Sequence, residues 1–236
     1  GTLEVRPIRQ HTQMGQGLLV RYGDLRLVLD GGVRGVMTLL SHAHADHIES
    51  LPDAREIVMT RQTLDVLRAR GFRPRPRVTV LDFGQEYEYQ SAVITPMNAG
   101  HVLGSAMFLI ELDDGTTVLY TGDFNTEDSL VHTAAQPVEA DVLITEATYG
   151  SPEWRFPTRD RIYHDIIRTA ENSIEQGRIP VFGAYSLGKA QEAISLLTRR
   201  GVDVISGNLV IDRVNAVYAR YVEGLSWVSV NDADTV

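Results

Sequence analysis

The sequence predicts an α/β protein, and three observations predict it. Short apolar runs closed by glycine or aspartate dominate the first 150 residues, at the spacing of strands. After residue 150, amphipathic helical periodicity takes over and alternates with further short apolar runs. No run approaches the roughly 18 consecutive apolar residues that a membrane helix needs. With 236 residues and 43% apolar content, the chain can bury one large core or two modest ones. A strand-rich domain over 1–150 and an α/β segment over 151–236 are expected.

Each element follows from local patterning. "GLLVRYGDLRLVLDGG" (17–32) reads as two strands around a turn at Tyr22, Gly23 and Asp24. "GVMTLLSHAHADH" (35–47) runs a buried strand, 36–40, into a loop rich in histidine. A short strand at 56–59 leads to Thr60, a hydroxyl suited to cap a helix over 61–70, with Gly71 as its stop. "VTVLDF" and "AVITPM" supply further strands. "AMFLIELDDGTTVLYTGDF" is a hairpin turning at Asp113, Asp114 and Gly115. "DVLITEATYG" (141–150) closes the first domain with another buried strand.

"SPEWRFPT" carries two prolines and no periodicity, so it reads as a crossing segment. A helix follows, capped by Thr158, with Ile162, Ile166, Ala170 and Ile174 as its apolar stripe and Gly177 as its stop. A strand at 179–184, a helix at 188–200, a strand at 202–206 and a helix at 210–223 then alternate. Such alternation predicts a parallel sheet flanked by helices.

Composition excludes several classes. The chain has no cysteine, so disulfides and thiolate metal ligands are absent and a metal here is held by imidazole and carboxylate. No charged-then-apolar leader is visible at the N-terminus, so the cytoplasm is the expected compartment, without membrane contact. A net charge of −9 argues mildly against a polyanion partner, although local patches steer such ligands more than net charge does.

Three of the seven histidines and an aspartate fall within "HAHADH" (42–47). Alternate residues of an extended segment share a side, so His42 and His44 can converge on one ion, while Asp46 and His47 face a neighbouring position once the chain bends. A lone loop histidine is ordinarily a hydrogen-bonded surface group; the crowding argues for ligands instead. Two ions need donors from elsewhere. His101 in "NAGHVLGSAMF" and Asp123 in "YTGDFN" both follow strand ends and a glycine, and a carboxylate can bridge two cations. His11, His132 and His164 read as surface or loop residues, His164 on the solvent face of its helix.

At these residues the sequence resembles a known family. Asp30 in "LVLDGG", the H-x-H-x-D-H of 42–47, His101 and Asp123 are similar, in order, to the first four motifs of the metallo-β-lactamase superfamily. "NAGHVLGSAMF", "YTGDFN", "ITEATYG" and "IPVFGAYSLGKAQE" resemble its β-CASP nucleases, over residues 17 to about 200. The resemblance implies a metallo-β-lactamase αββα sandwich, with metals at its strand ends, followed by a partial β-CASP-like α/β domain. It implies two zinc ions, one held by His42, His44 and His101, the second by Asp46 and His47, with Asp123 bridging. Asp46 would also orient the attacking hydroxide, and Glu146 would be the acidic residue of the first β-CASP motif. Asp30 is expected behind the ligands, bonding the loop backbone or a histidine's outer nitrogen.

The residue types suit phosphodiester hydrolysis. Two zinc ions roughly 3.5–4 Å apart lower the pKa of a bridging water towards about 7 and offset charge on the transition state. The family carries two more histidine motifs beyond the β-CASP region, and this sequence has no histidine after His164. It is therefore expected to be part of a longer protein; the alternative is a compact variant with an incomplete second site.

For substrate contact, "RARGFRPRPR" (68–77) holds five arginines, a set that either grips phosphates or forms a solvated face. Ser186, Gly188 and Lys189 at a helix start offer amides, dipole and ammonium to an anion. Arg155, Arg159, Tyr149, Trp154 and Phe156 are further candidates for phosphate contact or base stacking. The partner expected is a single nucleic-acid strand, RNA over DNA, with a homodimer or a larger complex as the setting. "GHVLGSAM" and "EATYG" resemble the RNA-processing branch, whereas "AYSLGKAQ" leans towards the DNA-repair branch, its exonucleases and its ligase-associated relatives. Two other classes compete: a metallo-hydrolase of thioesters or lactones, which has no need of "IPVFGAYSLGKAQE", and a scaffold subunit, which would have lost ligands.

Overall fold

A computed structural model describes residues 1–8, 17–44, 51–145 and 158–235. Asp46, His47 and Glu146 lie outside the described residues, as do His11, Tyr149, Trp154, Arg155, Phe156 and the expected domain boundary at 150/151. The chain forms two compact units, Gly1–Asp128 with His132–Glu146, and Ser129–Val131 with Ala147–Val236.

The first unit is built on two sheets. Strands β1 (Leu3–Pro7), β2 (Leu18–Tyr22), β3 (Leu25–Leu29), β4 (Met37–Leu39), β5 (Glu56–Thr60) and β6 (Arg77–Leu81) form one sheet in sequence order. Its first three strands are antiparallel neighbours, and β3 to β6 run parallel. The second sheet has the order β11 (Val142–Ile144), β10 (Thr117–Tyr120), β9 (Ala106–Glu111), β8 (Ala92–Asn98) and β7 (Tyr87–Tyr89). Only β10 and β11 pair in parallel there.

Strand alternation decides what lies between the sheets. Leu27, Leu29, Met37, Leu39 and Val58 of the first sheet share one buried cluster with Ile94, Phe108, Ile110, Val118 and Tyr120 of the second. Each such side chain contributes roughly 1.5–3 kcal/mol through burial. Met107 and Leu119 point the other way and pack with Ala99 and Ala135. Helix α1 (Arg61–Ala69) carries the crossover from β5 to β6, and Thr63, Leu64, Val66 and Leu67 are its buried face. Thr60 caps it, its side chain accepting from the Thr63 amide at 3.2 Å, as the sequence predicts.

Polar links also cross between the sheets. Tyr22 of β2 donates to Asp114 in the β9–β10 turn at 2.6 Å, and Tyr87 of β7 donates to Glu56 of β5 at 3.0 Å.

The last strand of the first unit differs from expectation. β11 forms, but at the edge of its sheet, with Leu143 61% exposed rather than buried. An apolar run signals hydrophobicity, and an edge position with one neighbour leaves half of it uncovered.

The second unit holds α2 (Arg159–Glu175), α3 (Lys189–Thr198) and α4 (Leu209–Tyr221). Thr158 caps α2, accepting from the Arg161 amide. Its buried residues are Ile167 and Ala170, whereas Ile162 and Ile174 are exposed. Four-residue spacing advances about 40° per step on a helix of 3.6 residues per turn, so the expected stripe winds off the packed face. The expected parallel sheet is not formed among the described residues. Residues 178–185 make no strand, with Ile179 and Val181 88% and 90% exposed. Of the strand expected over 202–206, a single bridge from Ile205 to Val228 remains. An apolar run becomes a strand only where a neighbour takes its backbone groups. Among the described residues no helix is long and apolar enough to cross a membrane.

The Tyr22–Asp114 link gives the first unit a measurable acid sensitivity. The bond from Tyr22, helped by the Thr116 amide, lowers the Asp114 carboxyl from 3.8 to about 2. The stability it contributes is present above pH 3.8 and is lost as the pH falls towards 2. In thermal unfolding followed from pH 5 to pH 2, Asp114→Asn is expected to melt lower than wild type at pH 5, with the difference shrinking as the pH reaches 2.

Candidate metal centre

All the described candidate ligands emerge from the same end of the two sheets. β4 ends at Leu39 and leads to His42 and His44; β8 ends at Asn98 and leads to His101; β10 ends at Tyr120 and leads to Asp123. Nitrogen atoms of the three histidines and an oxygen of Asp123 lie within 4.8 Å of one another. The rings meet nearly edge to face, His42 and His44 with centroids 4.7 Å apart at 83°, His42 and His101 at 5.0 Å and 83°, His44 and His101 at 5.2 Å and 79°. The three rings stand steeply to one another, each with a nitrogen in the cluster. Nε2 of His42 and Nε2 of His101 each stand 3.6 Å from the same Asp123 oxygen. That separation is too long for a hydrogen bond and suits donors that share a cation.

The donors also differ in exposure. The His42 side chain is fully buried, while those of His101 and Asp123 are 26% and 30% exposed. The centre therefore has a closed side and an open side.

Behind His42 stands Asp30. It is 1% exposed and adopts a left-handed backbone with φ of 52°, a conformation that costs a non-glycine residue on the order of 1 kcal/mol. Its carboxylate accepts from the Ser41 amide at 2.7 Å, the Ser41 hydroxyl at 2.6 Å and the Tyr120 hydroxyl at 2.5 Å. Hydrogen bonds to a charged acceptor contribute about 1.5–3 kcal/mol each, enough to hold the strained turn. Ser41 Oγ also lies 2.8 Å from His42 Nδ1. A carboxylate only accepts, so the hydroxyl proton points to Asp30 and the serine oxygen must accept from Nδ1–H. Nε2 of His42 is left carrying the lone pair, the state a cation requires.

Close backbone approach fixes the other loops. Gly104 has φ of 81°, and a Cβ there would stand 2.5 Å from the Thr63 amide nitrogen. Its carbonyl accepts from Thr60 at 2.8 Å and Thr63 at 3.0 Å, joining the His101 loop to the start of α1. Gly122 has φ of 50°, and a Cβ there would meet the Ser41 side chain at 2.9 Å. Ser105 Oγ accepts from the His101 amide at 3.0 Å.

Sequence reasoning passed over Ser41, Tyr120, and Thr60 with Thr63 as a loop clamp. Ser41 adjoins the histidine pattern, which was its one signal; the others become visible only in three dimensions. His132 is 8% exposed in its loop rather than on the surface, and His164 is exposed.

Ser186, Gly188 and Lys189 lie in the second unit, at the start of α3. Gly188 is the N-cap, and its amide donates to Gln191 Oε1 at 2.7 Å. The Ala190 amide is engaged by the Tyr185 carbonyl at 3.1 Å. The Gly188 amide, one of those expected for an anion, is thus already used, as is the neighbouring Ala190 amide. Lys189 is exposed and lines a cavity of about 740 Å³ with Arg159, Tyr163, Phe182, Tyr185 and Glu192. Burial, together with the Glu192 carboxylate, pushes the Tyr163 hydroxyl up to about 12.

Two facing mixed sheets with imidazole and carboxylate donors at their strand ends define an α/β sandwich with a candidate metal site. Residues 24–181 match the family described as the beta-lactamase superfamily domain, and the chain belongs to that superfamily, in the β-CASP group of the metallo-β-lactamases. An RNase J-like protein of Methanocaldococcus jannaschii is 27% identical over 251 residues, which cover 95% of this chain and 59% of that protein. The endoribonuclease ysh1 of Schizosaccharomyces pombe is 30% identical over 224 residues, with 78% and 29% covered. A probable DNA ligase of Opitutus terrae is 32% identical over 169 residues, with 71% and 16% covered. The chain spans between 16% and 59% of the length of these relatives. A crystal structure of a protein of unknown function from Enterococcus faecalis V583 shares the fold, with a TM-score of 0.59 at 13% identity, covering 93% of this chain and 68% of that one.

The tautomer assignment is open to direct measurement. In the metal-free protein, long-range nitrogen–proton NMR is expected to show His42 protonated at Nδ1. Ser41→Ala is expected to yield a mixture of the two tautomers.

Proposed function

We propose that this chain carries the metal-dependent phosphodiesterase centre of a nuclease that hydrolyses single-stranded RNA. The observation that supports it is the donor set itself, three imidazoles and a carboxylate with ligand atoms within 4.8 Å of one another. In this reading His42, His44 and His101 would hold one zinc ion and Asp46 and His47 a second, with Asp123 as the shared carboxylate. Bound zinc would supply a water that is nucleophilic near neutral pH and compensation for charge on the phosphorane-like transition state.

The chain's own residues do the rest. Ser41 and Asp30 hold the His42 ring so that its Nε2 would be available to a bound ion. In the same reading Asp46 would orient the attacking water, and Glu146 would polarise a histidine or hold a ligand's proton. The exposed side, where His101 and Asp123 lie, admits the phosphodiester. In the second unit, Ser186 and Lys189, with the aromatic and basic rim of that unit's cavity, offer further groups for contact with a nucleic-acid strand. The relatives named as an RNase J-like protein and an endoribonuclease support RNA as the substrate.

A second reading has its own support. "AYSLGKAQ" leans towards the DNA-repair branch, and one relative is named as a probable DNA ligase. It replaces RNA by DNA at the same centre, cut from an end.

The test combines metal analysis with end-labelled single-stranded RNA and DNA of one sequence. Wild type is expected to hold about two zinc ions and to cut RNA faster than DNA, with at least a hundredfold loss in Asp46→Ala and in chelator. Faster cutting of DNA selects the second reading. Zinc binding without cleavage of either polymer, together with thioester hydrolysis, would defeat both.

A further inference from the structure

The arginine run at 68–77 does not form one solvated face. Arg68, Arg73, Arg75 and Arg77 are exposed, but Arg70 turns inward, its Nη1 donating to the carbonyl of Ala43 at 2.6 Å. Ala43 is 1% exposed and stands between His42 and His44. We infer that Arg70 is a positioning residue of the metal centre, holding the His42–Ala43–His44 arm by this one carbonyl; the inference rests on the metal-centre reading above.

The peptide plane that carries the Ala43 carbonyl is the one that leads into His44. Rotation of that plane swings the direction in which the His44 side chain leaves the backbone, and a short charge-assisted bond resists the rotation. His42 is already held from the other side, through Ser41 and Asp30. The two bonds together brace the arm from both sides, one at the His42 ring and one at the backbone that leads into His44.

Arg70 is also the C-cap residue of α1, placed by a backbone that bonds the carbonyls of Val66 and Leu67. At the opposite end of the same helix Thr60 and Thr63 hold the Gly104 carbonyl in the His101 loop. Helix α1 is therefore a rigid bracket between two ligand-bearing loops, and Arg70 is its second clamp.

Electrostatics alone predicts the opposite consequence. A guanidinium beside a divalent cation repels it, so removal of the charge would tighten metal binding. Removal of a clamp loosens it. The sign of the change separates the two roles.

The experiment uses the 236-residue chain stripped of metal and titrated with Co²⁺, with absorbance of the visible ligand-field bands and competition against a chelator as readouts. Wild type, Arg70→Met and Arg70→Lys are compared, with circular dichroism and thermal unfolding of the metal-free forms as the check on folding. Arg70→Met is expected to bind Co²⁺ about ten- to a hundredfold more weakly, with altered band intensities. Arg70→Lys, which keeps one donor, is expected to fall between it and wild type. Equal or tighter binding by a folded Arg70→Met overturns the positioning role. If that variant does not fold, Arg70→Lys decides, and an affinity and spectrum equal to wild type overturn the role. Wild type that binds no Co²⁺ and no Zn²⁺ defeats the metal-centre reading itself, a result distinct from either.

Discussion

Asp30 sets the geometry on which the rest of the first unit depends. Its carboxylate receives two bonds from Ser41, at the end of β4, and one from Tyr120, at the end of β10. Three chain segments, from both sheets, are thereby tied at one buried point. A carboxylate so placed must be solvated by protein donors, since burial without them costs several kcal/mol. The donors it recruits are the residues that precede the candidate ligands, His42 next to Ser41 and Asp123 three places after Tyr120. Core packing and ligand aim are in this sense one problem, solved by the same side chains.

The two sheets bring the candidate ligands together because of their connectivity. β4 and β10 belong to different sheets, and the Ala106 amide of β9 donates to the Ser41 carbonyl at 2.8 Å, closing the sandwich beside the site. His42 and Asp123 are 81 residues apart in sequence, yet they face one another across that seam. The closed side of the centre is lined by fully buried His42, and the open side by His101 and Asp123, so access is directional before any substrate is considered.

Much of this was legible in the sequence. Alternation and turn residues located β2, β3 and the β9–β10 hairpin, and Thr60 announced the start of α1. The histidine pattern pointed to His42 and His44, and strand-end placement pointed to His101 and Asp123. What was not legible depends on partners far away in sequence. Tyr120 reads as one more apolar position in "TVLY" until its hydroxyl is seen on Asp30. Arg70 reads as one arginine among five, because nothing local says which of them turns inward. In the second unit, the runs at 179–184 and 202–206 carry strand composition, but a strand is a property of a pair. Ile179 and Val181 are nine-tenths exposed for want of that pair among the described residues.

The close approaches at Gly104 and Gly122 have a bearing on how such a chain can change over generations. A side chain at Gly122 collides with Ser41, and one at Gly104 collides with the backbone of Thr63. The first is a clash with a side chain, which a second substitution at Ser41 can relieve only by giving up the partner of His42. The second is a clash with backbone, which no substitution relieves. Drift is therefore blocked at both positions for different reasons, and a lineage that has lost the glycine at 104 must have moved the helix with it.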